Sequence, residues 1–260
     1  MQSDLFKTVR FAAGVCVVAA VFVSSAAVLL KDRQEANKLL DRQSKVLGVA
    51  GLLEPGQKLT SEEAQSLFDE YIVSVPVDLQ TGMVAEGIDV QAYDQRAATQ
   101  DPDQSRVAPE NNSGVPRMAN VALVYQFVRD GEVESLIFPV EGMGLWSTLY
   151  GYIALDADLE RVAGITFYEH GETAGLGGEI DNPNWQALWP GRRMFDEAGL
   201  PAIEVIKGAA GPVESDPYRI DGLAGATLTA RGVTNLLRLW LGPDGFGPYL
   251  DAYRAEMSTE

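Results

Sequence analysis

Cysteine and histidine each occur once among the 260 residues, as Cys16 and His170. A single thiol excludes a disulfide within the chain and any iron–sulfur or zinc site held by a set of cysteines. A single imidazole excludes a histidine-rich metal centre built by this chain alone, and leaves His170 as a structural or surface residue. Basic residues are scarce: 20 Lys and Arg stand against 37 Asp and Glu, a net charge of −17. That balance argues against binding nucleic acid, and against docking on an anionic membrane through a basic patch. No GxSxG elbow, Cys–His pair, HExxH or phosphate loop ending in GK[ST] occurs, so no nucleophile–base set is readable. GxGxxG is missing too, which removes a Rossmann nicotinamide site. Any redox chemistry then falls to a bound cofactor.

Apolar residues make up 46% of the chain, enough for one sizeable core. Residues 11–30, FAAGVCVVAAVFVSSAAVLL, carry no charge, and about twenty such residues cross a bilayer as a helix. A secretory signal is the competing reading, with Lys7 and Arg10 ahead and the small residues Ser24 to Ala27 behind. We read a single retained anchor. Basic residues flank it on both sides, so charge alone sets no orientation. With no Asp, Glu, Lys or Arg inside the span, no ion path through this chain is expected. Small residues Ala12, Cys16, Ala20 and Ser24 share one face and permit close helix packing, a pattern that an Ala-rich helix also gives by chance.

Residues 31–53 read as a polar helix ending in the apolar VLGVAGLL. Thr60 and Glu63 form a potential capping box for a helix running to Ile72, and Val73 to Leu79 reads as a strand. Residues 97–117, rich in Pro, Asn and Asp, read as a mobile loop, and its Asn111-Asn112-Ser113 as a plain surface turn rather than a glycosylation site. Val121 to Val128 and Val133 to Val140 alternate around Asp130-Gly131, a hairpin signal. Gly151 to Ala157 and Val162 to Tyr168 make a second pair; Ile203 to Lys207 and Tyr218 to Ile220 are shorter strands. The expected fold is α+β: a mixed or antiparallel sheet with flanking helices, preceded by one transmembrane helix.

Chemistry gathers in Asp221 to Val233, DGLAGATLTARGV. Val233, Leu236, Leu237, Trp240 and Leu241 recur at helical spacing, so Gly225-Ala226-Thr227 falls at or just before a helix start. Unpaired N–H groups and the positive end of the helix dipole suit a phosphate there. A threonine at such a place is usually only a cap. Three further stretches could meet a flat ligand. GMGLWSTLY (142–150) contains Leu145, Trp146, Ser147 and Thr148; EHGETAGLGG (169–178) contains Glu172, Thr173, Gly175, Leu176 and Gly177; NPNWQALW (182–189) adds two tryptophans. Glycines let backbone approach a ring closely. Taken singly, each is more often a turn or a piece of core. Lys207, before Gly208, could offer a positive charge to a phosphate or a reduced flavin.

Taken together, the anchor, VLGVAGLL (46–53), GLWSTLYGYIAL (144–155), HGETAGLGGEIDNPNWQALW (170–189) and DGLAGATLT (221–229) resemble the C subunit of the bacterial sodium-translocating NADH:quinone reductase. The resemblance covers essentially the whole chain. The G subunit of the Rnf electron-transport complex shares the last motif, but GLWSTLYGYIAL favours the C subunit of the reductase. In the family, Asp, two variable residues, Ser or Thr, Gly, Ala and Thr mark covalent flavin mononucleotide (FMN) attachment. Here that pattern falls on Asp221 to Thr227, so Thr227 would carry FMN as a phosphoester, with Thr229 as fallback acceptor. Ala224 stands where a hydroxyl residue is usual, and Ala174 where proline is common. The resemblance implies a cofactor environment of Asp221, Gly222, Leu223, Gly225, Ala226, Leu228 and Thr229 around Thr227. The loops carrying Leu145 to Thr148 and Glu172 to Gly177 would cradle the ring, with Lys207 a weaker candidate. It also implies a single-pass protein of the bacterial inner membrane, with a cytoplasmic tail (1–10), a transmembrane helix (11–31) and a periplasmic FMN-binding domain (32–260). A transferase using FAD and a divalent cation would attach the flavin. Partner membrane and flavin subunits would bind NADH, quinone and sodium, while this chain relays single electrons. The alternative of another class is a non-redox, membrane-anchored scaffolding domain.

Overall fold

The structure, a computed structural model, describes residues 2–54 and 56–258. Residue 1 of the expected tail, and residues 55, 259 and 260 of the expected large domain, lie outside the described residues. The chain divides into two compact units, Met1–Arg42 and Gln43–Glu260.

Helix α1 (Gln2–Val49) begins in the first unit and ends in the second. Its stretch Phe6–Lys31 is 26 residues long and apolar enough to cross a membrane, and it contains the expected span 11–31. The polar helix read after the anchor is therefore a continuation of the same helix. Its last turns are different in kind: Val46, Leu47 and Val49 are buried in the second unit. Gly51 ends the helix at φ 77°, and the Leu52 N–H donates back to the Leu47 carbonyl. That is a Schellman turn, which satisfies the last carbonyls of the helix.

In the second unit, α2 (Ser61–Tyr71) starts at the expected capping box, with Thr60 and Glu63 bonded reciprocally. It leads into β1 (Ile72–Asp78). The segment expected as a mobile loop is instead built from the end of α3 (Gln95–Gln100), then β2 (Ser105–Val107) and the start of β3 (Arg117–Ala119), which pair antiparallel. Its polar residues close turns: Asp94 caps α3, and the Asn111 side chain bonds both Ser113 and Val115. The Asn111 amide, which a glycan would need, donates instead to the Pro109 and Val115 carbonyls.

Strands β4 (Val121–Arg129) and β5 (Glu132–Met143) form the expected hairpin, with Asp130 at φ 53° and Gly131 at φ 86°. Such positive angles give a turn whose twist matches the strands it joins. β6 (Thr148–Asp156) and β7 (Val162–Glu169) follow, completing a five-stranded antiparallel sheet in the order β1-β4-β5-β6-β7. After a 3-10 turn (Gly177–Asp181) comes the short α4 (Pro183–Gln186). The strand expected at 203–207 is only two residues, β8 (Glu204–Val205), parallel to β9 (Arg219–Ile220). α5 (Thr227–Trp240) and α6 (Gly247–Met257) complete the chain. The fold is thus the expected α+β arrangement with an antiparallel main sheet.

Both sheet faces are covered. Leu136, Phe138 and Val140 of β5 join α5 and α6 in the larger core, while Ile137 joins the end of α1 in the smaller one. Successive residues point to opposite faces, so a strand buried on both sides needs an unbroken apolar run. YIAL at 152–155 is such a run: Tyr152 and Ala154 face one core, Ile153 and Leu155 the other.

Candidate functional site

The site is organised by the approach of α5 to β5 and the loop after it. Trp240 donates from Nε1 to the Glu141 carbonyl at 2.7 Å. Near the other end of the helix, a Cβ on Gly232 would collide with the Met143 carbonyl, and one on Gly142 would meet Leu236 at 2.7 Å. Two glycines therefore let the first turns of α5 lie against the Gly144–Ser147 loop. That contact sets the helix start where Thr227 sits.

Thr227 is the first residue of α5 and is exposed. The residue before it, Ala226, occupies the cap position, and no side chain makes a capping bond there. The usual role of a threonine at a helix start is thus absent: this hydroxyl is left facing outward. Thr229 differs: it is fully buried, and its hydroxyl donates to Glu172 Oε2. Leu228 is exposed, and Gly225 takes φ 72° with the Leu176 side chain 3.0 Å from its Cβ position.

Glu172 ties three segments together. Its Oε1 accepts from the backbone N–H groups of Leu145 (3.1 Å), Trp146 (2.9 Å) and Ser147 (3.4 Å), while Oε2 holds Thr229 of α5. Space around the carboxylate is tight, since a Cβ on Gly144 would lie 2.6 Å from Oε1. Burial works to raise this carboxyl, but the Thr229 hydroxyl and the N–H groups of Trp146, Leu145 and Ser147 hold it below its ordinary value. The carboxylate is therefore engaged within the protein and positions the loops. The lone histidine supports it: His170 Nε2 lies 2.7 Å from Asp181, and Nδ1 accepts the Glu172 N–H at 3.2 Å. Ser147 Oγ accepts the Gly171 N–H at 2.6 Å, closing the two loops on each other. The Thr173 carbonyl accepts from Leu176 and Gly178, which curls the Gly175–Gly177 turn. Leu145, Trp146 and Leu176 are left exposed, Trp146 at 69%. Thr148 Oγ1 turns to the Met143 sulfur.

The remaining motif residues are scaffolding. Asp221 accepts the Ala210 N–H on Oδ1 and the Trp185 indole N–H on its carbonyl. The Gly222 N–H donates to the Gly208 carbonyl at 2.7 Å, and Leu223 is in the core. Buried Arg192 donates to the Gly211 and Asp216 carbonyls and shapes the same loop. Lys207, next to the Gly208 held by this stitching, lines one cavity of about 660 Å³ together with Thr227. That volume is within the usual range for a small-molecule or cofactor site. Arg231 also lines the cavity. It was not among the residues expected from sequence, although its place four positions after Thr227 puts it on the same helix face. The tryptophans of 182–189 are not ligand-facing: Trp185 and Trp189 stack edge-on in the core.

A smaller cavity of about 220 Å³ is lined by Arg96, Glu141, Tyr150 and the loop ends Met143 and Thr148. Burial pushes the Glu141 carboxyl up to about 7, against the pull of Arg96. Arg96 itself is held by Glu169 at 2.6 Å and lies over the Tyr150 ring.

Comparisons with known proteins agree with this geometry. Residues 144–242 match the model of the FMN-binding domain family, a range spanning all of the loops and α5 just described. The C subunit of the Na(+)-translocating NADH-quinone reductase of Pseudomonas aeruginosa is 47% identical over 252 residues, 96% of each chain. Its counterpart in Vibrio vulnificus is 44% identical over 255 residues, 97% of each chain. Among solved structures, NqrC of Shewanella oneidensis matches with a TM-score of 0.76 and 32% identity, over 86% of this chain and 99% of that one. The C subunit from Parabacteroides distasonis matches at 0.65 and 27% identity, over 85% and 96%. The chain belongs to the NqrC family of the Na(+)-translocating NADH-quinone reductase, as a non-autonomous subunit of that oxidoreductase with an FMN-binding domain and other subunits as its partners.

Proposed function

We propose that this chain relays single electrons within the reductase through an FMN esterified to the Thr227 hydroxyl. The observation that carries the reading is Thr227 itself. It is an exposed hydroxyl at the first position of α5, free of any capping duty, on a cavity shared with Lys207 and inside the FMN-binding match. A phosphate at this place meets the open N–H groups and positive dipole end of the helix. Bound there, the flavin supplies reversible one-electron chemistry that no side chain of this protein offers. The chain's own part is to fix the flavin's place: Glu172 and His170 hold the loops, and Leu145, Trp146 and Leu176 offer apolar surface to the ring. Thr229, buried and bonded to Glu172, is better suited to support than to attachment.

In the same reading, residues 11–31, within the apolar stretch Phe6–Lys31, cross the bacterial inner membrane, with residues 1–10 cytoplasmic and 32–260 periplasmic. Attachment is by a flavin transferase drawing on FAD and a divalent cation, as the family resemblance implies. NADH, quinone and sodium bind partner subunits.

The test is the intact mass and in-gel fluorescence of the denatured full chain, co-expressed with such a transferase. An FMN-sized adduct is expected, lost in Thr227→Ala and kept in Thr229→Ala. An unmodified parent sinks the covalent reading, and an adduct that survives Thr227→Ala moves it to another residue. The purified chain alone should not turn over NADH; turnover would contradict its role as a dependent subunit.

A further inference from the structure

The chain carries 37 acidic and 20 basic residues, and basic side chains with no carboxylate beside them are the ones open to an outside anion. Two line the cavity at Thr227. Among the described residues, neither the Lys207 nor the Arg231 side chain has a hydrogen bond or an ion pair. Arg238 lines the same cavity but is 3.4 Å from Glu204, which also faces Arg219 at 3.7 Å. The cavity's one carboxylate is thus taken, and Lys207 and Arg231 remain as its two free positive charges.

Arg231 follows Thr227 by four residues, so their Cβ atoms lie about 5–6 Å apart on one helix face. Helical side chains lean toward the N-terminus, which carries the guanidinium back toward the Thr227 hydroxyl. A guanidinium presents several N–H groups in a planar fork that fits a phosphate's oxygens.

We propose that Arg231 is the counter-charge of the phosphate that links the flavin to Thr227, with Lys207 as the second cation across the cavity. The inference rests on the reading of Thr227 as the attachment site. A diester at that position keeps one negative charge beside the helix start. Arg231 pairs with it, and so limits the swing of the flavin about its single covalent tether. Arg231 is a positioning residue in this account and takes no part in electron transfer.

The experiment compares the full-length parent, Arg231→Gln, Arg231→Lys and Arg254→Gln, each co-expressed with the flavin transferase and matched for adduct by intact mass. Two quantities are read: the phosphorus-31 resonance of the diester and the fluorescence anisotropy of the bound flavin. Arg231 is exposed and unpaired, so its variants are expected to fold as the parent does. Arg231→Gln should shift the resonance and lower the anisotropy; Arg231→Lys should recover most of both; Arg254→Gln on α6 should change neither. High salt should move the parent toward Arg231→Gln. A variant that accepts flavin only when residue 231 is basic also supports the proposal. Arg231→Gln with the parental resonance and anisotropy overturns it, as does equal loss of adduct in the Gln and Lys variants. A parent without any adduct overturns the attachment reading first, and this inference with it.

Discussion

Glu172 and Glu141 are two carboxyls close to one loop, and their surroundings push them in opposite directions. Glu172 is lowered by its donors, so its contribution to stability is fully present above the ordinary glutamate value of 4.5 and is lost as pH falls through the lowered value. Glu172→Gln should therefore cost about 2–3 kcal/mol near neutrality, from the loss of charge-assisted hydrogen bonds. In denaturant titrations the gap to the parent should close on acidification, and a gap independent of pH would refute the assignment. Glu141 is raised to about 7, so it favours the fold below 4.5 and penalises it as pH rises through 7. Glu141→Gln should stabilise the protein above that pH, by on the order of 1–3 kcal/mol, and leave it unchanged in acid. The two threonines make a second contrast. Thr227→Ala should stay within roughly 0.5 kcal/mol of the parent, because the hydroxyl caps nothing. Thr229→Ala should cost about 1–3 kcal/mol, because it strips a donor from a buried carboxylate. Equal melting temperatures for the two variants would contradict the geometry. The helix start was readable from the spacing of Val233 to Leu241. Cap or first residue was not, because one position separates them and periodicity does not resolve it. The inward turn of Glu172 was also hidden, since its partners lie 25 to 57 residues away.

Helix α5 reaches the loop only because residue 232 has no side chain. By helix propensity, alanine in place of a helical glycine gains up to about 1 kcal/mol. Here the added Cβ would meet the Met143 carbonyl. Gly232→Ala should instead destabilise by about 1–3 kcal/mol, as overpacked sites do, and loosen the Trp146 loop. A raised melting temperature would mean that helix and loop part without cost. Strands joined by local turns were legible: Asp130-Gly131 announces its hairpin, and Thr60 with Glu63 announces α2. The segment 97–117 misled because Asn, Asp and Pro mark turns whether a loop is loose or tightly closed. Only the pairing of Ser105–Val107 with Arg117–Ala119 distinguishes the two. Strand β8 was read too long for the opposite reason. Apolar residues around 203–207 serve the core without a continuous ladder partner.

Two cores on opposite sheet faces set what the protein can lose. Val46, Leu47 and Val49 come from the end of α1, yet they are buried against Ile72, Phe127, Ile137 and Tyr152. Burying each such side chain contributes about 1.5–3 kcal/mol, against a net stability of roughly 5–15 kcal/mol for a domain. A soluble chain starting at Gln43 should therefore melt cooperatively, as its membership of one compact unit implies. One starting at Gly51 should melt far lower or stay unfolded. Equal melting curves would show the smaller core to be dispensable. The sequence suggested a boundary where the apolar span ends, since hydropathy reports only where a bilayer could be. Hydropathy alone could not tell that VLGVAGLL belongs to the folded unit, because a short apolar run reads alike at a membrane edge and in a core; only the family resemblance put it inside the expected domain 32–260.

Of the four tryptophans, Trp185, Trp189 and Trp240 are buried, while Trp146 is 69% exposed. A collisional quencher in solution would therefore extinguish the emission of one indole and spare three. That indole sits in the loop whose backbone Glu172 grips, and the same carboxylate holds Thr229, two residues after Thr227. The protein thus holds its own optical probe at this place, so loosening of the loop can be followed by light, without a label.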